Sequence, residues 1–143
     1  MNGEPPDILL VEDNEDDVAL TVGTLKAHIT KKIVVCGDGA EALDFLLGTG
    51  AYEGRNTSSQ PRLILLDLNL PKLNGLEVLT RIRADSRTRH LPVVVLTSSS
   101  RKADLAAAYA AGANSYLVKA VKYTDFTKDV QQLGAHWLRG KSN

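Results

Sequence analysis

The chain has 143 residues, the size of one domain and enough to bury about two-thirds of the surface it exposes when unfolded. Seventeen basic and seventeen acidic residues cancel, which argues against a non-specific nucleic-acid binder, since such a protein carries a basic excess. The longest apolar runs (Ile8 to Val11, Leu63 to Leu66, Val93 to Leu96) are strand-sized, so no membrane span is expected.

The start, Met-Asn-Gly-Glu-Pro-Pro-Asp, lacks the basic and apolar stretches of a signal peptide, and a cytoplasmic location is expected. Asp7 to Glu12 reads as a first strand, apolar on both faces as a buried parallel strand should be. Asp13 and Asn14 suit a turn and a helix cap. Val18, Val22, Leu25 and Ile29 then recur at helical spacing. Lys32 to Cys36 is a second strand, closed by Gly37-Asp38-Gly39. Cys36 is the one cysteine, so an internal disulfide is impossible and a reducing compartment fits. Ala42, Leu43, Leu46 and Leu47 mark a second helix ended by Gly48. Residues 48–62 form a polar connection, long for a compact domain.

Leu63 to Leu66 is a third strand, followed by a helix over about Asn74 to Ala84 with Leu76, Val78, Leu79 and Ile82 as its apolar positions. Pro92 to Leu96 is strand four, and Arg101 to Ala111 an alanine-rich helix stopped by Gly112. Ser115 to Val118 is strand five, and Tyr123 to Leu138 the last helix. The pattern is (βα)5, an α/β chain with a parallel sheet. Right-handed crossovers place helices on both faces of such a doubly wound sheet, and five strands suit the flavodoxin-like order 2-1-3-4-5. Ligands in these folds bind at the carboxyl ends of the strands, beside the reversal of strand order.

Those ends carry Glu12-Asp13 after strand 1, Asp67 after strand 3, Thr97 after strand 4 and Lys119 after strand 5. In the order 2-1-3-4-5 they are neighbours, so three carboxylates, a hydroxyl and an ammonium converge on one crevice. Three close acids repel one another unless a cation compensates. All-oxygen ligation with few protein ligands suits Mg2+, which favours phosphate as a partner. A carboxylate beside a divalent metal and a lysine can attack a phosphoryl group, and metal, lysine and hydroxyl would stabilise the transferring oxygens.

Four motifs, Leu-Val-Glu12-Asp13-Asn, Leu-Leu-Asp67-Leu-Asn69-Leu-Pro71-x-x-Asn-Gly75, Leu-Thr97-Ser and Gly112-Ala-Asn-Ser-Tyr116-Leu-Val-Lys119, resemble the receiver domain of two-component response regulators. The resemblance runs from Asp7 to Leu138, in the family's order and spacing. It implies that Asp67 is the phosphoacceptor, that Asp13 binds Mg2+ directly, that Glu12 holds the metal through water, and that the backbone carbonyl of Asn69 completes the protein's share. Thr97 and Lys119 would bind the phosphoryl oxygens, and Tyr116 would be an aromatic switch. Two departures stand out: Ala120 replaces the proline that usually follows the lysine in a cis peptide, and the 48–62 segment is longer than receivers usually carry. Both, with Trp137-Leu138 near the end, look like the receiver-only regulators that partner bacterial phytochrome kinases.

The leading reading is therefore a single receiver domain over residues 1–143, with its core over about 7–138 and no output domain. It would take phosphate from a histidine kinase, possess only self-catalysed phosphorylation and dephosphorylation, and signal to a downstream protein or phosphotransfer partner. A pseudo-receiver that never takes phosphate is the alternative, but it would typically have lost an acid, the threonine or the lysine. A flavodoxin-like cofactor protein would want a phosphate loop where Glu12-Asp13 stand. On the last helix Phe126, Val130, Leu133 and Trp137 form a stripe. The first three are expected on the sheet, while Trp137 and Leu138 are interface candidates for a homodimer through the helix 4–strand 5–helix 5 face.

Overall fold

Each of the five apolar runs becomes a strand of one parallel sheet in the computed structural model, which describes residues 6–28, 32–119 and 123–139. The strands are β1 (Ile8–Val11), β2 (Ile33–Cys36), β3 (Leu63–Asp67), β4 (Val93–Thr97) and β5 (Ser115–Val118), in the order β2-β1-β3-β4-β5. β1 sits between β2 and β3, with Ile8 level with Ile33 on one side and Leu63 on the other. β1, β3 and β4 are buried along their whole length. That is why they read as continuous Ile, Leu and Val rather than as alternating strands.

Both faces are covered. Helices α2 (Gly39–Leu47), α3 (Gly75–Ala84) and α4 (Lys102–Ala111) pack on one, and α1 (Glu15–His28) and α5 (Tyr123–Gly134) on the other. The period of two sorts the strand residues between them. Leu9, Val11, Ile64, Leu66, Val93 and Val95 join the α2–α3–α4 core, while Ile8, Leu10, Leu63, Leu65, Val94 and Leu96 join the α1–α5 core. A slip of one residue in any central strand would exchange the two sets. Each fully buried aliphatic side chain contributes roughly 1.5–3 kcal/mol, so the register is strongly held.

Helix starts are fixed at the strand ends by side-chain caps, each worth about 1 kcal/mol. Asn14 Oδ1 accepts the Asp17 N–H at 2.9 Å, Asp38 Oδ1 that of Glu41 at 2.7 Å, and Asn74 Oδ1 that of Glu77 at 3.0 Å. Between β3 and α3 the chain turns tightly. A Cβ on Gly75 would lie 2.5 Å from the Asp67 carbonyl oxygen and 2.6 Å from Leu68 Cα; its absence seats α3 directly under the end of β3. Lys72 in the same turn has φ 66°, the left-handed region that glycine or asparagine adopts more readily. At the far end of α4, Gly112 (φ 113°) provides the left-handed cap.

Three features have no counterpart in the sequence patterns. The 48–62 connection is built rather than slack: a 3-10 turn at Gly50–Tyr52 leads to Arg55, whose guanidinium lies 3.9 Å from the Phe45 ring centroid. The same group donates to the carbonyls of Phe45 and Ser59, while Gln60 Nε2 reaches the Leu46 carbonyl at 2.8 Å. The segment is thereby tied to the end of α2. On α1 the buried face includes Thr21 and Thr24 beside Leu25, the Thr24 hydroxyl donating to the Leu20 carbonyl at 2.9 Å. The last helix ends in a π turn, Ala135–Arg139. Phe126, Val130 and Leu133 do pack on the sheet, and Trp137 is half-buried against the same core, edge-on to His136. Ile29, the Lys119–Ala120 peptide and the side chain of the interface candidate Leu138 lie outside the described residues. Cys36 is a buried free thiol of the core, its pKa pushed up to about 12 by burial and then by Glu41. Among the described residues no helix is long and apolar enough to cross a membrane.

Candidate functional site

Four of the expected residues meet where the sheet reverses direction. Glu12 is held just past β1 by its N–H donating to the Cys36 carbonyl at 3.0 Å, and Lys119 just past β5 by its N–H on the Thr97 carbonyl at 2.7 Å. Asp67 closes β3. Glu12 and Asp67 are 2 % and 3 % exposed, and the Lys119 side chain 17 %; Asp13 is exposed. One carboxylate oxygen from each of Glu12, Asp13 and Asp67 lies within 4.8 Å of the others. The cleft they form, about 600 Å³, is also lined by Asn14, Asp17, Asn69, Ser98 and Lys119.

Lys119 organises the charge. Its Nζ donates to Glu12 Oε1 at 2.8 Å, to Asp17 Oδ2 at 2.9 Å and to Asp67 Oδ2 at 3.4 Å. Burial disfavours the ammonium, but Glu12, Asp17 and Asp67 outweigh it and hold the amine above its ordinary value. Glu12 is the strained partner: burial, then the neighbouring Asp67, lifts its pKa to about 7 in spite of Lys119. One ammonium faces four carboxylates. That surplus of oxygen donors, with three of them close enough to share an ion, fits a hard divalent cation.

Backbone donors fix the rest. Asp67 Oδ1 accepts the Asn69 N–H at 3.1 Å, which turns Asn69 into the cleft. Glu12 Oε2 accepts the Asn14 N–H at 3.2 Å. Thr97 is brought to the same strand-end row but is buried, its Oγ1 accepting the Ser99 N–H at 3.1 Å. The hydroxyl residue that lines the cleft is its neighbour, Ser98. Tyr116 lies outside the cleft, half-buried; its hydroxyl donates to the Ser99 carbonyl at 2.5 Å and its ring stacks on the exposed Tyr109 at 6.4 Å. Thr97 and Tyr116 are therefore linked through one residue, Ser99. Trp137 sits away from the cleft, on the groove between β5 and α5.

Asp17 and Ser98 were not singled out in the sequence. Asp17 lies in the first turn of α1, four residues before Thr21 and eight before Leu25 of the apolar stripe, and that spacing along one helical face is the signal that would have placed it over the site.

The family model for the response regulator receiver domain matches residues 8–131. Response regulator Rcp1 of Synechocystis sp. is 42% identical over 135 residues, covering 94% of this chain and 90% of Rcp1. A crystal structure of the Mn(2+)-bound form of Rcp1 superposes with TM-score 0.86 at 40% identity, covering 97% of each chain. The phosphorylated cyanobacterial phytochrome response regulator RcpA gives TM-score 0.88 at 36% identity, over 96% of this chain and 97% of that one. The bacteriophytochrome response regulator AtBRR gives 0.74 at 46% identity, over 94% and 96%.

Proposed function

From the premise that this chain belongs to the response regulator receiver domain family, we propose that it is a phosphorylation switch whose phosphoacceptor is Asp67. The observation that carries the reading is the cluster at the strand ends: one lysine shared by Glu12, Asp17 and Asp67, with Asp13 in reach. A pseudo-receiver without phosphochemistry would have no use for this concentration of opposed charge.

A carboxylate oxygen of Asp67 attacks the phosphorus of a phosphohistidine on a histidine kinase. The O–P bond forms as the P–N bond breaks, and its electron pair returns to the imidazole nitrogen. Lys119 supplies N–H donors to the phosphoryl oxygens. Glu12 anchors Lys119 beside the acceptor, and the Asn69 amide orients the Asp67 carboxylate. Asp13, Asp67 and the Asn69 carbonyl would hold Mg2+, with Glu12 acting through water. Held there, the cation would offset the acid excess and the charge on the transferring oxygens.

Phosphate on Asp67 adds charge and strong acceptor oxygens. The Thr97 hydroxyl, whose oxygen accepts the Ser99 N–H at rest, turns to donate its O–H to the phosphoryl oxygens, and Ser99 carries that movement to the Tyr116 hydroxyl bonded to its carbonyl. The α4–β5–α5 face thus reports the phosphate. The chain's likeness to phytochrome response regulators supports a phytochrome-type kinase as donor. Output passes to a downstream protein or phosphotransfer partner, and Trp137, on the groove between β5 and α5, borders the face proposed for a homodimer.

The test is incubation with a small phosphodonor and Mg2+, followed by intact mass and hydroxylamine treatment. The wild type should gain one hydroxylamine-labile phosphoryl group and Asp67→Asn none. A wild type that gains no mass would restore the pseudo-receiver reading.

A further inference from the structure

Asp17 has no part in the chemistry just described, yet its carboxylate lies as close to the Lys119 ammonium as that of Glu12 does. The distances are 2.9 and 2.8 Å, against 3.4 Å for Asp67. Its own backbone is locked, since the Asp17 N–H is bound by the Asn14 cap at 2.9 Å. In a capping box the Glu or Gln at this third helical position reaches back to the N–H of the capping residue. Here Glu12 Oε2 takes that N–H, so the Asp17 carboxylate is released from capping and turned to Lys119. Thr21 and Leu25, buried along the same face of α1, fix the helix that carries it.

We propose that Asp17 is a positioning residue that tethers Lys119 toward α1 in the resting state and competes with the Asp67-bound phosphoryl group for it. The inference rests on the reading of Asp67 as phosphoacceptor. The three N–H donors of the ammonium are already spread over Glu12, Asp17 and Asp67, most loosely over Asp67 at 3.4 Å, so the added phosphoryl oxygens gain donors only as the acids around them yield. Asp17 therefore opposes the phosphorylated state, and its strength sets how much of that state survives.

The experiment is a titration with beryllofluoride and Mg2+, followed by fluorine nuclear magnetic resonance, on wild type, Asp17→Asn, Asp17→Glu, Lys119→Ala and the double variant Asp17→Asn/Lys119→Ala. Asp17→Asn should bind beryllofluoride about five- to tenfold more tightly, as expected for losing one partly screened charged hydrogen bond. Asp17→Glu, which keeps a carboxylate in reach, should stay near wild type. In the Lys119→Ala background the Asp17→Asn gain should vanish. A gain that persists there would mean that Asp17 acts through its field alone and would overturn the tether, as would unchanged or weaker binding by Asp17→Asn. A wild type that fails to bind beryllofluoride would instead overturn the phosphoacceptor reading on which the tether stands.

Discussion

Two half-buried cations stand at opposite ends of the sheet and are used in opposite ways. Lys119, at the carboxyl ends of the strands, is shared by three carboxylates. Arg83, at the amino ends, is held by neutral groups: Nε donates to the Gly112 carbonyl at 3.0 Å, two further N–H groups go to the carbonyls of Arg89 (2.9 Å) and Leu91 (2.7 Å), and one to Asn114 Oδ1 at 2.7 Å. Arg83 thus fastens the connection after α3 to the turn before β5. Its charge does no chemistry, and its planar fork does the work of a rivet. Lys119 is surrounded by more negative charge than it can neutralise. The comparison separates a satisfied end, which holds the fold, from an over-charged end, which stays ready to exchange partners.

The largest effect that tests this contrast is on Lys119. Lys119→Ala should lose the phosphate-driven change of the α4–β5–α5 face altogether while still accepting some phosphate; a normal amide spectrum response to beryllofluoride would contradict the assignment. Arg83→Ala should do the reverse. It should cost about 2–4 kcal/mol of stability, through several lost charged hydrogen bonds and the carbonyls they leave open, with Mg2+ affinity unchanged; urea denaturation and a Mg2+ titration on the same samples check both halves. Asp13→Ala should weaken Mg2+ binding by about tenfold or more with little loss of stability, because Asp13 is exposed; an unchanged titration removes it from the ligand set. The smallest effect sharpens the boundary of the reactive end. Cys36, next to that end on β2, should resist thiol reagents at pH 8 until urea opens the core, since a pKa near 12 leaves only about one thiolate in ten thousand. Rapid labelling of the folded protein would show a looser β2 than the structure has.

The strands and the strand-end groups were legible from the chain because they rest on local patterns: uninterrupted Ile, Leu and Val runs, capping residues, and acids or lysine placed directly after a strand; the strand order followed from the handedness of the crossovers and the usual winding of a five-stranded sheet. What escaped had a different physical origin. Arg55 and Arg83 bind carbonyls, which every residue possesses, so no side-chain pattern announces them. Thr21 and Thr24 read as polar, yet they are buried on α1, Thr24 by returning its hydroxyl to the helix's own carbonyl. Asp17 stands in a first helical turn, where acids are favoured by the helix dipole anyway. Its second employment depends on Lys119, 102 residues away in the chain. The π turn that ends α5 had no signal in the Phe126–Trp137 stripe, whose spacing an unbroken α-helix satisfies equally well.

The turn between β3 and α3 has a consequence for how this sequence can drift. At position 72 a side chain endures a backbone shape that glycine or asparagine would take with less strain; at position 75 the smallest residue fills a space in which any β-carbon meets the backbone of Asp67 and Leu68. The first site is open to replacement and would gain by some of it. The second is closed to every other amino acid unless helix and strand part. In a saturation library the two positions, three residues apart, should mark the permissive and the forbidden extremes of the same loop. A lineage could lose its charged cluster one substitution at a time and still keep this glycine, because the fold would go on requiring it after the chemistry had gone.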